Sequence, residues 1–186
     1  TVYIYGTEEI ENQSVIAMEL VEQGTLKDKV KAQGPLPVQE AVDDILQVIA
    51  GLNAAHEKGV LHRDIKPSNC FVAADGSVKV GDFGLSVSSI AREDTQLTMT
   101  GTVMGTPAFA SPEQLRGDTL QVSSDIYSVV ATLYYLLTGK APFEAQNVVQ
   151  LVATVLDKKP ESPDRIRPEI PHDLAALIVR CLAKQP

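Results

Sequence analysis

His62-Arg63-Asp64-Ile65-Lys66-Pro67-Ser68-Asn69 is the stretch on which the fold turns, and Asp82-Phe83-Gly84, eighteen residues after Asp64, is its complement. Carboxylates, an ammonium, a guanidinium, an imidazole and a carboxamide are crowded into two short polar loops. Between those loops, residues 70–73 and 77–80 have the texture of short strands, and Ala74-Asp75-Gly76 is the turn of a hairpin. Either loop taken alone is ordinary turn chemistry. Their conjunction, in the order polar loop, hairpin, acidic loop, is what carries information.

Outward from this centre the chain is read by periodicity and punctuation. Ala41/Val42, Ile45, Val48/Ile49, Leu52 and Ala55 recur at helical spacing and predict a long amphipathic helix from Val38 to Gly59. Gly24-Thr25 opens a shorter helix to about Ala32, stopped by Gly34-Pro35 and Pro37. Upstream, residues 2–5 and 15–20 predict a hairpin across a polar turn at 8–14, and Val60-Leu61 predicts another short strand. Downstream, residues 86–110 are rich in Ser and Thr and lack periodicity; a loop of that length is usually functional or disordered. Helices are predicted at 125–137, 147–156 and 173–183, with Pro142, Pro160, Pro163, Pro168 and Pro171 in the connections.

Composition narrows the function classes. The 186 residues are 44% hydrophobic, 22% charged and 5% aromatic, which excludes collagen-like, disulfide-framework and disordered readings and leaves one to two globular domains. With 16 Lys and Arg against 24 Asp and Glu the net charge is −8, so a nucleic-acid or anionic-membrane partner lacks its electrostatic footprint. Cys70 and Cys181 belong to no ligand spacing, which favours a reducing, cytoplasmic compartment. The apolar run at 126–137 falls short of the ~20 residues that cross a bilayer and predicts a buried core helix instead. Asn12-Gln13-Ser14 fits a glycosylation pattern that a three-residue spacing often meets by chance.

The two loops resemble the HRD…N catalytic loop and the DFG triplet of protein kinases. The resemblance implies an α+β, protein-kinase-like fold: residues 1–20 as the last strands of an N-terminal lobe, 21–25 as a hinge, and 26–186 as a mainly helical C-terminal lobe with an activation loop at about 85–110. It implies transfer of the γ-phosphoryl group of ATP, with Mg2+, to protein substrates. Asp64 would be the base, Asn69 and Asp82 the metal ligands, and Lys66 the cation beside the transferring group, as in serine/threonine kinases. Gly105-Thr106-Pro107 to Ser111-Pro112-Glu113 resembles the segment that closes the activation loop; Thr106 would bond Asp64 and Lys66, and Glu113 would pair with an Arg beyond Pro186. Arg63 would lie in a basic pocket for a phosphothreonine, with Thr98 and Thr100 the candidate phosphosites. Asp125 resembles the buried carboxylate that holds the catalytic loop by its backbone, or is a first-turn helix acid.

Met18-Glu19-Leu20-Val21 resembles the hinge, with Met18 as gatekeeper, backbone groups of Glu19 and Val21 bonding adenine, and Phe71 beneath the ring; core packing explains Met18 and Phe71 equally well. Val130 stands where the family usually has Gly, which predicts a small rearrangement. The wording of residues 124–143 is most similar to bacterial members. Residues 1–186 hold no Gly-rich loop, strand lysine or helix-C glutamate, so the stretch is expected to be part of a larger domain and inactive alone. A nonenzymatic, pseudokinase-like interaction module is the alternative, and small-molecule phosphotransferases with a related loop are a weaker third reading. Any membrane anchor is expected outside this stretch.

Overall fold

A single helix, Val122–Thr138, organises the lobe in this computed structural model, which describes residues 1–11, 13–83 and 107–185. The elements before it in the chain are strands β1 (Ile4–Ile10) and β2 (Gln13–Met18), helices α1 (Leu26–Gln33) and α2 (Val38–His56), strands β3 (Cys70–Val72) and β4 (Val78–Val80), and the short helix α3 (Pro112–Arg116). The organising helix is α4, and α5 (Val148–Asp157), α6 (Pro163–Ile166) and α7 (His172–Cys181) follow. The predicted apolar run lies within α4, where Ala131, Leu136 and Leu137 are fully buried. Buried hydroxyls do not disturb it, because Ser128, Thr132 and Thr138 each donate to the carbonyl one turn back. Val130 packs partly buried against the core within the unbroken helix, so the rearrangement expected there is absent from α4.

Helix α2 lies against α4 and buries Ala41, Ile45, Val48 and Leu52, the predicted stripe, although Ile49 turns outward. Helix α1 starts where its residues dictate: the Thr25 hydroxyl accepts from Asp28 N–H and the Asp28 carboxylate accepts from Thr25 N–H, a reciprocal cap. Lys29 ties α1 to α2 through Glu40 and the buried Asp44, both at 2.8 Å. Arg167 locks the far end, donating to the carbonyls of Leu36 at 2.9 Å and Leu137 at 2.7 Å.

The hairpin β3–β4 rests on α2, with Cys70 and Val80 turned into the core and Phe71 paired with Lys79 on the other face. Burial pushes the Cys70 thiol up to about 12, so it is a packed core group. The chain entering α1 runs alongside β3, with Val72 N–H donating to Gly24 O at 2.9 Å.

Two predicted strands are corrected. The first hairpin is longer than expected: β1 and β2 pair from Ile4↔Met18 to Ile10↔Gln13, so the polar residues Glu8 and Glu9 are strand and not turn. Every residue of β1 is exposed, and without burial the strand needs no apolar alternation. Val60-Leu61 forms no strand; it leaves α2 by Gly59, at φ 73°, and leads directly into the polar loop. Among the described residues no helix is long and apolar enough to cross a membrane.

Candidate active site

The loop from His62 to Asn69 is held from below by one side chain. Asp125, in the first turn of α4 and 1% exposed, accepts the N–H of Arg63 on Oδ1 at 2.8 Å and that of His62 on Oδ2 at 2.9 Å. His56, at the end of α2, adds a third contact from its Nε2 to Oδ2 at 2.8 Å. Asp125 therefore does what the resemblance implies. His56 was not singled out by sequence reading, where it is only the last polar residue of an amphipathic helix.

His62 joins the two loops. Its Nδ1 lies 3.2 Å from Asp64 N–H, which can only donate, so the ring proton sits on Nε2 and points at Gly81 O, 2.8 Å away. Its ring also packs on Phe83, centroid to centroid at 4.5 Å. Gly81 N–H in turn donates to Asn69 O at 3.0 Å, which brings Asn69 beside the residue preceding Asp82.

Within the loop three side chains converge. Asn69 Nδ2 donates to Asp64 O at 2.8 Å and to Asp64 Oδ2 at 2.9 Å, and Lys66 Nζ meets the same Oδ2 at 2.8 Å. With its NH2 group so engaged, Asn69 has its carbonyl oxygen to offer a ligand, as Asp82 has its carboxylate. An oxygen-only donor set suits a hard dication such as Mg2+, which commonly takes one or two protein ligands and completes its shell with phosphates and water. Among the described residues no group of three or more His, Cys, Asp or Glu side chains is placed to hold a metal ion.

Arg63 and Asp82 both adopt left-handed backbone, at φ 69° and 60°. For residues other than Gly such geometry costs of order 1–3 kcal/mol and persists only where neighbours over-determine it. The Arg63 Nε is buried and has no partner among the described residues.

At the mouth of the site, Met18 shares a crevice of about 40 Å³ with Val2, Ile16, Gly81, Asp82 and Phe83. Phe71 lies against Gly81 so closely that a methyl group there would fall 2.7 Å from its ring. Glu19 and Val21 line a separate open cavity of about 360 Å³ next to Lys79. Glu19 N–H donates to Tyr3 O at 2.8 Å, while its carboxylate takes Lys79 Nζ and Tyr3 N–H, which hold it below the usual carboxylate range. The structure thus brings Asp64, Lys66 and Asn69 into contact, links Asp82 to them through Gly81, and puts Met18 beside Asp82. Gly84, Thr98, Thr100, Gly105 and Thr106 lie outside the described residues, as does Asn12.

One further contact was not legible in the sequence: Gln114 of α3 donates from Nε2 to the carbonyl of Arg63 at 2.7 Å.

The family model described as protein kinase domain matches residues 1–186. The chain is 38% identical over its whole length to the serine/threonine-protein kinase PknB of Mycobacterium leprae, and covers 30% of that protein. It is 37% identical over 95% of its length to a probable serine/threonine-protein kinase PknB of Lactococcus lactis, covering 28% of it. With the serine/threonine-protein kinase PrkC of Bacillus subtilis it shares 36% identity, again over the whole chain and 28% of the relative. The chain therefore spans about three tenths of the length of these relatives.

Proposed function

The chain belongs to the protein kinase family, and on that footing we propose that it carries the reacting groups of an ATP-dependent serine/threonine protein kinase. The observation that carries the reading is the grip of Asn69 and Lys66 on one oxygen of Asp64, which leaves Oδ1 free among the described residues.

Phosphoryl transfer asks a protein for positioning and charge neutralisation more than for covalent chemistry. Asp64 Oδ1 accepts the proton of the attacking Ser or Thr hydroxyl, a role worth about 10²–10⁴ in rate. Lys66 stands beside it as a cation for the transferring γ-phosphoryl group. Asn69, through its carbonyl oxygen, and Asp82, through its carboxylate, hold Mg2+, which when bound neutralises phosphate oxygens. Glu19 offers adenine its backbone carbonyl and Val21 its N–H, with Met18 as gatekeeper and Phe71 beneath the ring. Thr106 bonds Asp64 and Lys66 when the closing segment is in place. Arg63 pairs with a phosphate on Thr98 or Thr100, a charge-assisted contact that orders the activation loop at about 85–110.

In this reading residues 1–20 are N-lobe strands, 21–25 the hinge and 26–186 the C-lobe. Residues 1–186 carry no Gly-rich phosphate loop and no strand lysine, so on their own they transfer little or no phosphate. The acidic chain works in the cytoplasm on protein substrates and not on nucleic acid, and any membrane contact comes from other segments.

The test is phosphorylation of a protein substrate by the full-length protein with ATP and Mg2+. Asp64→Asn lowers transfer by about 10²–10⁴, leaving a remainder measurable in single turnovers, and Asp82→Asn abolishes it, while Thr98→Ala with Thr100→Ala only reduces it. Full activity in Asp82→Asn removes the kinase reading.

A further inference from the structure

Arg63 holds a left-handed backbone at φ 69°, a conformation that a residue other than Gly keeps only where its neighbours over-determine it. The residue is clamped at both of its peptide groups by side chains from elsewhere. Its N–H donates to Asp125 Oδ1 at 2.8 Å, and its C=O accepts from Gln114 Nε2 at 2.7 Å. The next residue is Asp64. The Arg63 carbonyl belongs to the peptide group that links it to Asp64, so whatever fixes that carbonyl fixes the plane from which the Asp64 Cα departs.

Gln114 is itself well fixed. It stands in the first turn of α3, where its own N–H donates to the Oγ of Ser111, a fully buried cap. Pro112 opens the helix and is buried. The 3-10 turn at Pro107–Phe109, just before α3, is anchored by Ala108 in a small core with Phe143, Leu151 and Val155. The carboxamide is thus a rigid strut between the α3 segment and the peptide group before Asp64.

We propose that Gln114 is a positioning residue for Asp64. It acts through the Arg63 carbonyl and makes the geometry of the base depend on the placement of α3. This rests on the reading of Asp64 as the base. A carboxamide is suited to the task because its NH2 donates to a carbonyl without adding charge beside the base or the cation Lys66. A carboxylate of the same length could only accept, and would face the Arg63 carbonyl with a like dipole.

The experiment is a double-mutant cycle on the full-length protein, with phosphorylation of a protein substrate followed under single-turnover and steady-state conditions. Gln114→Leu lowers kcat about ten- to hundredfold, the scale of a sub-ångström to 1 Å misplacement of a reacting group, and leaves the KM for ATP within twofold. In the Asp64→Asn background the same substitution causes no further loss, because the group it positions is already gone. Gln114→Glu keeps the length, removes the donor and gives the same result, so the test survives should the leucine variant unfold. A kcat within twofold of wild type in both variants overturns the proposal. So does a loss equally large in the Asp64→Asn background, or one that disappears on cooling below the thermal transition, since each marks a merely structural role. Undiminished transfer by Asp64→Asn alone overturns instead the assignment of the base, and with it this inference.

Discussion

Asp125 and His56 meet at 2.8 Å beneath the His62–Asn69 loop, although 69 residues separate them in the chain. The carboxylate is nearly fully buried, and its other two contacts are backbone N–H groups of the loop itself. A buried acceptor that loses a donor, or that is replaced by a group offering a donor to a donor, costs about 1–3 kcal/mol. Asp125→Asn turns an NH2 toward one of the two N–H groups and is expected to lower stability by about that amount. His56→Phe keeps most of the ring volume, removes one donor and should cost less. Equilibrium urea unfolding checks both; a midpoint unchanged in Asp125→Asn contradicts the account.

Gly81 predicts a different kind of sensitivity. A Cβ added there would lie 2.7 Å from a Phe71 ring carbon and 3.1 Å from Val2 Cγ2, closer than packed atoms allow. Gly81→Ala must push Phe71 aside, and such overpacking costs typically ~1–3 kcal/mol. Because Phe71 is the proposed floor of the adenine site, the KM for ATP should rise several-fold while the loop itself stays intact. Unaltered nucleotide affinity in this variant would separate Phe71 from the nucleotide.

What the sequence made legible follows the range of the interactions involved. Asp64, Lys66 and Asn69 lie within six residues, and their chemistry and spacing could be read directly because the loop is closed by its own side chains. The helices were legible too, since α2 and α4 each face one core and carry its periodicity. The hairpin boundaries were not: β1 is exposed throughout, so no burial pattern marks Glu8 and Glu9 as strand. His56, Gln114 and Lys79 escaped for another reason. Each acts across 51 to 69 residues of chain through one side chain, and a lone polar residue on a helix or strand carries no local sign of its distant partner.

A surface clasp gives the protein a pH-dependent increment of stability. Asp164 accepts from the Ser162 hydroxyl and from His172 Nδ1, at 2.9 Å for the latter, joining α6 to α7. The Asp164 contact raises His172 above its ordinary value near 6.5, while Ser162 and then His172 hold Asp164 below its ordinary 3.8. The His172 contribution is complete below ~6.5 and is lost as pH rises through the raised folded value; that of Asp164 is present above 3.8 and is lost as pH falls through the lowered one. The clasp is therefore strongest between about pH 4 and 6.5, and small because His172 is exposed. In urea titrations the deficit of His172→Gln relative to wild type should be larger at pH 5 than at pH 8. A deficit that is equal at both values sinks the assignment.

Lys79 fixes Glu19 at the edge of the proposed nucleotide site. Its ammonium pairs with the Glu19 carboxylate, which also receives Tyr3 N–H, so one side chain of β4 ties together the residue after the proposed gatekeeper and the start of the first hairpin. The pair is about a quarter exposed on each side, and exposed ion pairs add only ~0–1 kcal/mol to stability. Its effect should appear in nucleotide binding instead. Lys79→Met keeps the packing of the stem and removes the charge, freeing the Glu19 side chain and with it the backbone carbonyl proposed to meet adenine. The KM for ATP is expected to rise about two- to tenfold, with kcat at saturating ATP unchanged, because Asp64, Lys66 and Asn69 are held by contacts of their own. A fall in kcat at constant KM would mean that Lys79 acts on the loop and not on the proposed hinge.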